Sequence, residues 1–368
     1  MQHGNRLVNL QLLRIFAAVA VVAFHARLHA VVFDKSFIPG SLGWGYSGVD
    51  VFFVISGFIM VYITAGRPIG PDEFIARRFF RVWPLYLVLT LVAAAIVLFV
   101  PAYYKGDDRP LYILQSLLFI PARRDFDGQF YPLLNVGWTL NLEVAFYALF
   151  AVSLFFKRQI LALFVMVGAL IGSGYVFKSD LLYFYGQFAR GPFVEFLFGV
   201  ALAHMYRANV RIPTSVAVAS LVGGIAMIMA QMPGARPIVV GLPAFMVVLG
   251  VLYIPAPKSL RLAECFDFLG RSSYALYLSH FIVLSVFRRT LLNEHLGPNS
   301  IPAFVYIGSA VALSLAIAVA IYVLLERPFD LRVSQPFLKK IFRREASRTG
   351  RTATSVGLDR NIAPAPHQ

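Results

Sequence analysis

The chain has 368 residues, 59% of them hydrophobic and 14% charged, and its mean hydropathy is +0.72. Soluble domains carry about a quarter charged residues, so the composition excludes a soluble enzyme and points to an integral membrane protein. The single cysteine, Cys265, excludes an internal disulfide and a cysteine metal cage. The net charge of +15 is concentrated: residues 331–368 hold eight Lys/Arg against Glu345 and Asp359, a pattern that suits anionic lipid headgroups and not nucleic acid.

Met1 to Leu10 are too polar for a signal-peptide core, and no small-residue cleavage site follows the next apolar run, which therefore reads as a retained span. Apolar runs of spanning length fall at 9–31, 47–65, 80–100, 137–156, 159–177, 187–206, 213–231, 237–254, 270–290 and 302–325. The expected fold is an all-α integral membrane bundle of about ten transmembrane helices. Leu111 to Ile120 is too short to span and reads as a surface or re-entrant helix. Pro328 is expected to end the last helix. This gives a membrane domain over 1–330 and a basic cytoplasmic tail over 331–368, expected to be disordered.

An even number of spans puts both termini on one side. Arg6, Arg14, Arg67, Arg77, Arg78, Arg81, Lys157, Arg158, Arg207, Arg211, Lys258, Arg261 and Arg271 then share a side with the basic tail. Asp34, Asp107, Asp108, Asp125, Asp127, Asp180 and Glu294 fall opposite. The positive-inside rule places both termini in the cytoplasm. No inverted repeat of the transporter kind is visible.

Ionisable groups inside a bilayer are costly, so each is a functional candidate. In "LLRIFAAVAVVAFHA", Arg14 and His25 stand eleven residues apart, about 20° past three full turns, so they share a face roughly 16 Å apart along the axis. One lies near a membrane surface and the other at depth. A neutral imidazole there is a candidate base, although Arg14 can equally snorkel to headgroups and His25 pack as a hydrogen-bonded core group.

In "EFIARRFFRVWPLYL", Arg78 and Arg81 are three apart on one helix face. Guanidinium groups grip phosphate through paired hydrogen bonds, so the two suit a polyphosphate ligand; the plainer reading is topology anchoring. Trp83 and Tyr86 fit an interfacial aromatic belt. In "VGWTLNLEVAFYALF", Glu143 lies inside an apolar span, where a carboxylate pairs with a cation or holds its proton. Trp138, five residues earlier, lies off its face.

Weaker signals come from Asp50, which opens the second span, from Ser56-Gly57, which permits close helix contact, and from His280 in the ninth span. Glu326 beside Arg327 reads as an ion pair. "GWGYSG" (43–48) formally matches a dinucleotide fingerprint but follows no strand and is set aside. No metal-ligand motif, Walker loop or serine nucleophile elbow appears.

Taken in order, these stretches resemble the acyltransferase family 3 integral-membrane proteins. Arg14 and His25 match the family's R-x10-H signature, Arg78–Arg81 its R-x-x-R motif, and "WTLNLEVAFY" its W-x-L-x-x-E segment. "GVDVFFVISGF" and "YALYLSHF" resemble its second and a late helix. The resemblance covers about residues 6–330, without an esterase-like domain.

It implies transfer of an acyl group, commonly acetyl from acetyl-CoA, to a hydroxyl of a bacterial surface or secreted glycan at the inner membrane. Acyl-CoA would be a donor substrate, not a resident cofactor, and the glycan acceptor could be lipid-linked. By that resemblance Arg14, Arg78 and Arg81 meet the coenzyme's phosphates, and His25 acts as base or as acyl carrier. Glu143 orients His25 or binds the sugar; Asp50, Trp138 and His280 are supporting residues. The rival readings are a transporter or flippase for lipid-linked sugars and a non-catalytic membrane subunit. Acceptor identity and oligomeric state are not legible in the sequence.

Overall fold

In the computed structural model, residues 2–65, 69–177, 180–188, 190–255 and 259–348 are described. Arg67, Lys258 and the tail beyond Arg348 lie outside the described residues. Helix α1 (Gln2–Phe33) is the organising element. At about 1.5 Å per residue it is roughly 48 Å long, more than the ~30 Å hydrocarbon layer requires. Its buried residues are mostly small: Ala17, Ala18, Val21, Val22, Ala26 and Ala30. Small side chains let neighbouring helices approach closely, and α1 is contacted by four of them: α2 (Gly48–Ala65), α10 (Leu242–Tyr253), α11 (Leu260–Asn293) and α12 (Ala303–Ile321).

Between α1 and α2 the chain folds back along α1 as a 3-10 segment, Pro39–Ser47. A Cβ on Gly45 would stand 2.4 Å from the Ala20 carbonyl oxygen, and one on Gly48 2.4 Å from that of Ala17. Gly45 and Gly48 of "GWGYSG" therefore serve backbone contact with α1, while Gly43 faces the Gln231 side chain.

Helix α2 lies in equally close contact with α8 (Arg190–Arg207). A Cβ on Gly57 would meet the Phe196 carbonyl oxygen at 2.0 Å, and one on Gly199 that of Val54 at 2.0 Å. The Ser56-Gly57 expectation thus has a partner.

The other helices are α3 (Pro71–Phe99), α4 (Pro110–Leu117), α5 (Trp138–Ser153), α6 (Gln159–Val176), α7 (Asp180–Phe188) and α9 (Thr214–Ala230). The described residues include no strand. Every expected span coincides with a helix, although length and hydropathy alone do not confirm the expected count of about ten. Among the described residues, seven helical stretches are long and apolar enough to cross a membrane. Of the rest, Thr214–Ala230 and Pro237–Tyr253 are shorter apolar helices, and α8 carries Arg190, Glu195 and Arg207 within its own 18 residues.

Pro328 does not stop the last helix. Two π turns, Tyr322–Glu326 and Asp330–Ser334, flank it, and helix continues to Arg348. A proline removes one i→i−4 hydrogen bond, and wider turns absorb the mismatch. The tail expected to be disordered is therefore helical over its described part. The 101–136 connection is held by polar contacts: the Tyr104 hydroxyl donates to the Leu133 carbonyl at 2.9 Å, and Arg109 pairs with Asp107 at 2.8 Å and Asp125 at 2.7 Å.

Candidate active site

Two parallel helices, α1 and α11, bring together histidines 255 positions apart. Nδ1 of His25 lies 3.1 Å from Nε2 of His280. Nδ1 of His280 faces the main-chain carbonyls of Tyr277 at 2.7 Å and Leu276 at 3.2 Å, and Nδ1 of His25 faces that of Val21 at 3.0 Å. A carbonyl only accepts, so each Nδ1 carries its ring's proton.

That assignment fixes the direction of the chain. His25 Nδ1–H is shared between Val21 and the lone pair on His280 Nε2. Nε2 of His25 is left unprotonated, with no hydrogen-bond partner among the described residues. His25 is half-buried, while His280 is fully buried. Phe24, Phe281 and the His280 ring surround the imidazole, with centroids at 5.1, 5.5 and 5.1 Å.

The polar line continues from His280 to Tyr277, whose ring is 5.9 Å away. The Tyr277 hydroxyl lies 3.0 Å from Thr139 Oγ1 on α5. Thr139 went unnoticed in the sequence, where Trp138 beside it drew attention. Trp138 itself packs edge-on against Phe53 at 6.4 Å.

Toward the other end of α1 a second polar cluster forms around Arg14. Arg14 is half-buried; its Nη1 donates to Gln11 Oε1 at 3.0 Å, and Arg81, Glu326, Glu143 and Tyr147 lie within its electrostatic reach. Arg81 forms an ion pair with Glu326 and lies over the Tyr274 ring at 5.3 Å. Glu326 thus bonds across the bundle, and the pair expected with the adjacent Arg327 does not form. Arg78 lies 5.9 Å from the ring centres of both Phe74 and Tyr147 and forms no ion pair among the described residues.

Glu143 sits in this second cluster. It accepts from Ser56 Oγ at 2.9 Å and from the Tyr147 hydroxyl at 2.5 Å. No hydrogen bond joins it to His25, and it is His280 that contacts the ring nitrogen of His25. Tyr86, expected in an aromatic belt, is instead fully buried and donates to the Ser116 carbonyl at 2.8 Å. Trp83 keeps partial exposure and stacks on Phe79 at 4.9 Å.

Asp50 is fully buried and belongs to neither cluster. Its Oδ1 pairs with Arg236 Nη2 at 2.6 Å, and Arg236 Nε stands 3.6 Å from Glu195 Oε1. The sequence reading missed Glu195 and Arg236. A carboxylate inside the apolar stretch "GPFVEFLFG" was the available signal for Glu195.

These features define a membrane-embedded helical bundle with a paired histidine at depth and arginines toward the opposite end of the same helix. Residues 7–323 match the profile of the acyltransferase domain, and the chain belongs to this family of membrane O-acyltransferases.

It is 36% identical over 295 residues to the exopolysaccharide production protein ExoZ of Rhizobium meliloti (strain 1021), covering 77% of this chain and 89% of that protein. It is 27% identical over 317 residues to the peptidoglycan O-acetyltransferase OatA of Listeria monocytogenes serovar 1/2a, covering 74% of this chain and 49% of that one. It is 30% identical over 155 residues to the acyltransferase MdmB of Streptomyces mycarofaciens, covering 39% of this chain and 38% of that protein. No solved structure matches.

Proposed function

We propose that the protein transfers an acyl group, acetyl in the simplest case, from acyl-CoA on the cytoplasmic side of a bacterial inner membrane to a hydroxyl of a glycan on the other side. The observation that carries the reading is the unprotonated Nε2 of His25, left free because His280 and Val21 hold Nδ1–H. The relatives named for exopolysaccharide production and peptidoglycan O-acetylation support a glycan acceptor.

The donor's phosphates meet Arg14 and Arg78, which among the described residues have no carboxylate hydrogen-bonded to them. Arg81 is already paired with Glu326 and shapes the entrance. Glu143, held by Ser56 and Tyr147, balances the arginine charge. The pantetheine arm then carries the thioester the roughly 16 Å from Arg14 toward His25.

At the histidine, Nε2 removes the proton from the attacking hydroxyl as its oxygen bonds to the thioester carbon. The developing imidazolium is stabilised because Nδ1–H already points at His280 Nε2, much as a triad's third member fixes its histidine. The C–S bond breaks, and the proton passes from Nε2 to the leaving thiolate. Atoms and charge balance without a cofactor. The same free Nε2 could instead accept the acyl group before the hydroxyl attacks; acid-quenched protein carrying labelled acyl on His25 would select that order.

Two measurements test the reading. Acetyl-CoA should raise the melting temperature of the purified protein more than the nucleotide portion alone. Surface glycan should lose O-acyl groups when the gene is deleted and regain them on complementation. Movement of lipid-linked sugar with no change in O-acylation would establish the flippase reading instead.

A further inference from the structure

At the Arg78 end of the bundle, four helix ends surround a cavity that acyl transfer does not use. It has a volume of about 260 Å³ and lies between the last turns of α2, α5 and α8 and the start of α6. Its wall is apolar: Val61, Phe150, Leu163 and Val200 line it and are all buried. Phe150 packs 5.0 Å from Phe74, the ring that Arg78 faces at 5.9 Å. Thr64 also lines the cavity, but its hydroxyl donates back to its own helix, 2.8 Å from the Met60 carbonyl.

The mouth of the cavity is basic. Arg207 and His204 line it, and it runs into a more open groove of about 350 Å³ where Lys157 and Arg158 join them. Gln159, Ile160 and His204 border both spaces, so the two form one cleft. Lys157, Arg158 and Arg207 are exposed. Among the described residues none of the three forms an ion pair, and no carboxylate lines the cleft. Nδ1 of His204 faces the Val200 carbonyl at 2.8 Å and therefore carries a proton, which leaves Nε2 for a ligand.

This distribution selects the ligand. Topology anchoring accounts for cations at the ends of spans, but not for an apolar cavity beneath them. A soluble anion would match the cations and leave the apolar wall against water. A neutral hydrocarbon would do the reverse. A phospholipid of net negative charge meets both demands: its phosphate accepts from guanidinium groups, and its chain covers the wall.

Helix α6 extends the apolar track beyond the cleft. Only Leu163 and Val167 of its residues are buried, while Leu161, Phe164 and Val165 are exposed. Basic pockets between membrane helices on the cytoplasmic side suit such headgroups.

We infer that the cleft between α2, α5, α6 and α8 binds an anionic glycerophospholipid. Arg158, Arg207 and His204 hold its phosphate, and one acyl chain lies in the cavity and along α6. The inference stands apart from acyl transfer and would survive the loss of that reading.

The test uses the purified full chain in an uncharged detergent. Its melting temperature is read with phosphatidylglycerol, phosphatidylcholine, inorganic phosphate or acetyl-CoA added. Phosphatidylglycerol should raise the wild-type value by about 3–5 °C near saturation, and phosphatidylcholine and inorganic phosphate should not. Arg158→Gln combined with Arg207→Gln should lose at least half of that shift. Ala65→Phe should lose as much, because Ala65 lines the cavity and the larger ring fills it while every charge stays in place. Arg332→Gln combined with Lys339→Gln, at positions that line neither space, should keep the shift.

A wild-type protein indifferent to phosphatidylglycerol overturns the inference, as does an undiminished shift in either cleft variant. An equal shift with phosphatidylcholine would report any lipid, and one with inorganic phosphate a free anion; each overturns it too. Equal loss in the Arg332 and Lys339 variant would reduce the effect to diffuse charge. Loss of acetyl-CoA stabilisation from the Arg158 and Arg207 variant would make the cleft part of the donor site and remove the lipid from it. Should that variant not accumulate, Ala65→Phe decides alone.

Discussion

Nε2 of His280 accepts from Nδ1 of His25 across 3.1 Å, and this contact sets which nitrogen of His25 is free to react. His25→Ala should abolish transfer, a loss of about 10²–10⁴-fold, the usual contribution of a positioned base. His280→Ala should cost less, on the order of 10–100-fold in turnover, as for outer partners that orient a functional histidine. Its donor Michaelis constant should stay unchanged, and its pH–rate profile should shift. Unaltered turnover and profile in His280→Ala would reduce the pair to packing.

The ion pair between Arg81 and Glu326 joins α3 to the π turn before Pro328. Arg81 is 40% exposed and Glu326 9%, so breaking the pair should cost about 1–3 kcal/mol, less than the 3–5 of a fully buried pair. Glu326→Gln should lower the melting temperature. The double variant Arg81→Ala with Glu326→Gln should recover much of that loss without regaining full activity. Additive losses in the cycle would mean the two side chains do not interact.

How far the sequence led can be read from these same residues. Helix α1 and its Arg14–His25 register were legible because both lie on one helix, where an eleven-residue spacing translates directly into a face and a distance. The contact between His25 and His280 was not, since no local pattern reports which of many apolar helices pack together. Glu143 stood out as a carboxylate inside an apolar span, but its neighbours, Ser56 and Tyr147, come from packing and from a local i+4 register that the expected pairing with His25 passed over. Arg236 lies outside the apolar runs, and nothing in its flanks announces Asp50, 186 positions away. Chain length against hydropathy gave the helices, but not which of the shorter or more charged ones, such as Thr214–Ala230 and α8, cross the membrane.

Gly57 bears on stability alone. A methyl group there would collide with the Phe196 carbonyl at 2.0 Å. Gly57→Ala should destabilise the protein by about 1–3 kcal/mol through overpacking, read as a lower melting temperature in detergent. An unchanged value would show that α2 and α8 can separate without penalty.

Asp107, in the 101–136 connection, is held below its ordinary value of 3.8, first by its hydrogen bond with Arg109. A lowered folded-state value means its contribution is fully present above about pH 4 and is lost as pH falls through the folded value. Limited proteolysis of this connection should therefore accelerate as pH drops below about 4, and Asp107→Asn should be cleaved readily at neutral pH. Equal protection of variant and wild type at neutral pH would remove Asp107 as the anchor.

The final prediction concerns Arg14, which among the described residues binds Gln11 alone within hydrogen-bond distance and has no carboxylate paired to it. If its planar fork holds donor phosphate, Arg14→Lys should impair the enzyme, though less than Arg14→Ala. Lysine keeps the charge, so insertion and orientation survive, but it meets phosphate as a point charge without bidentate geometry. The measurement is acyl transfer in membranes carrying equal amounts of each variant, over a range of acetyl-CoA concentrations. A raised Michaelis constant for the donor at nearly constant maximal rate is the expected signature of lost binding. A topology anchor would tolerate the exchange at every donor concentration. In that event the entrance would have to be rebuilt around Arg78, the remaining arginine of the cluster without an ion pair among the described residues, and Arg78→Lys would show the donor effect in its place.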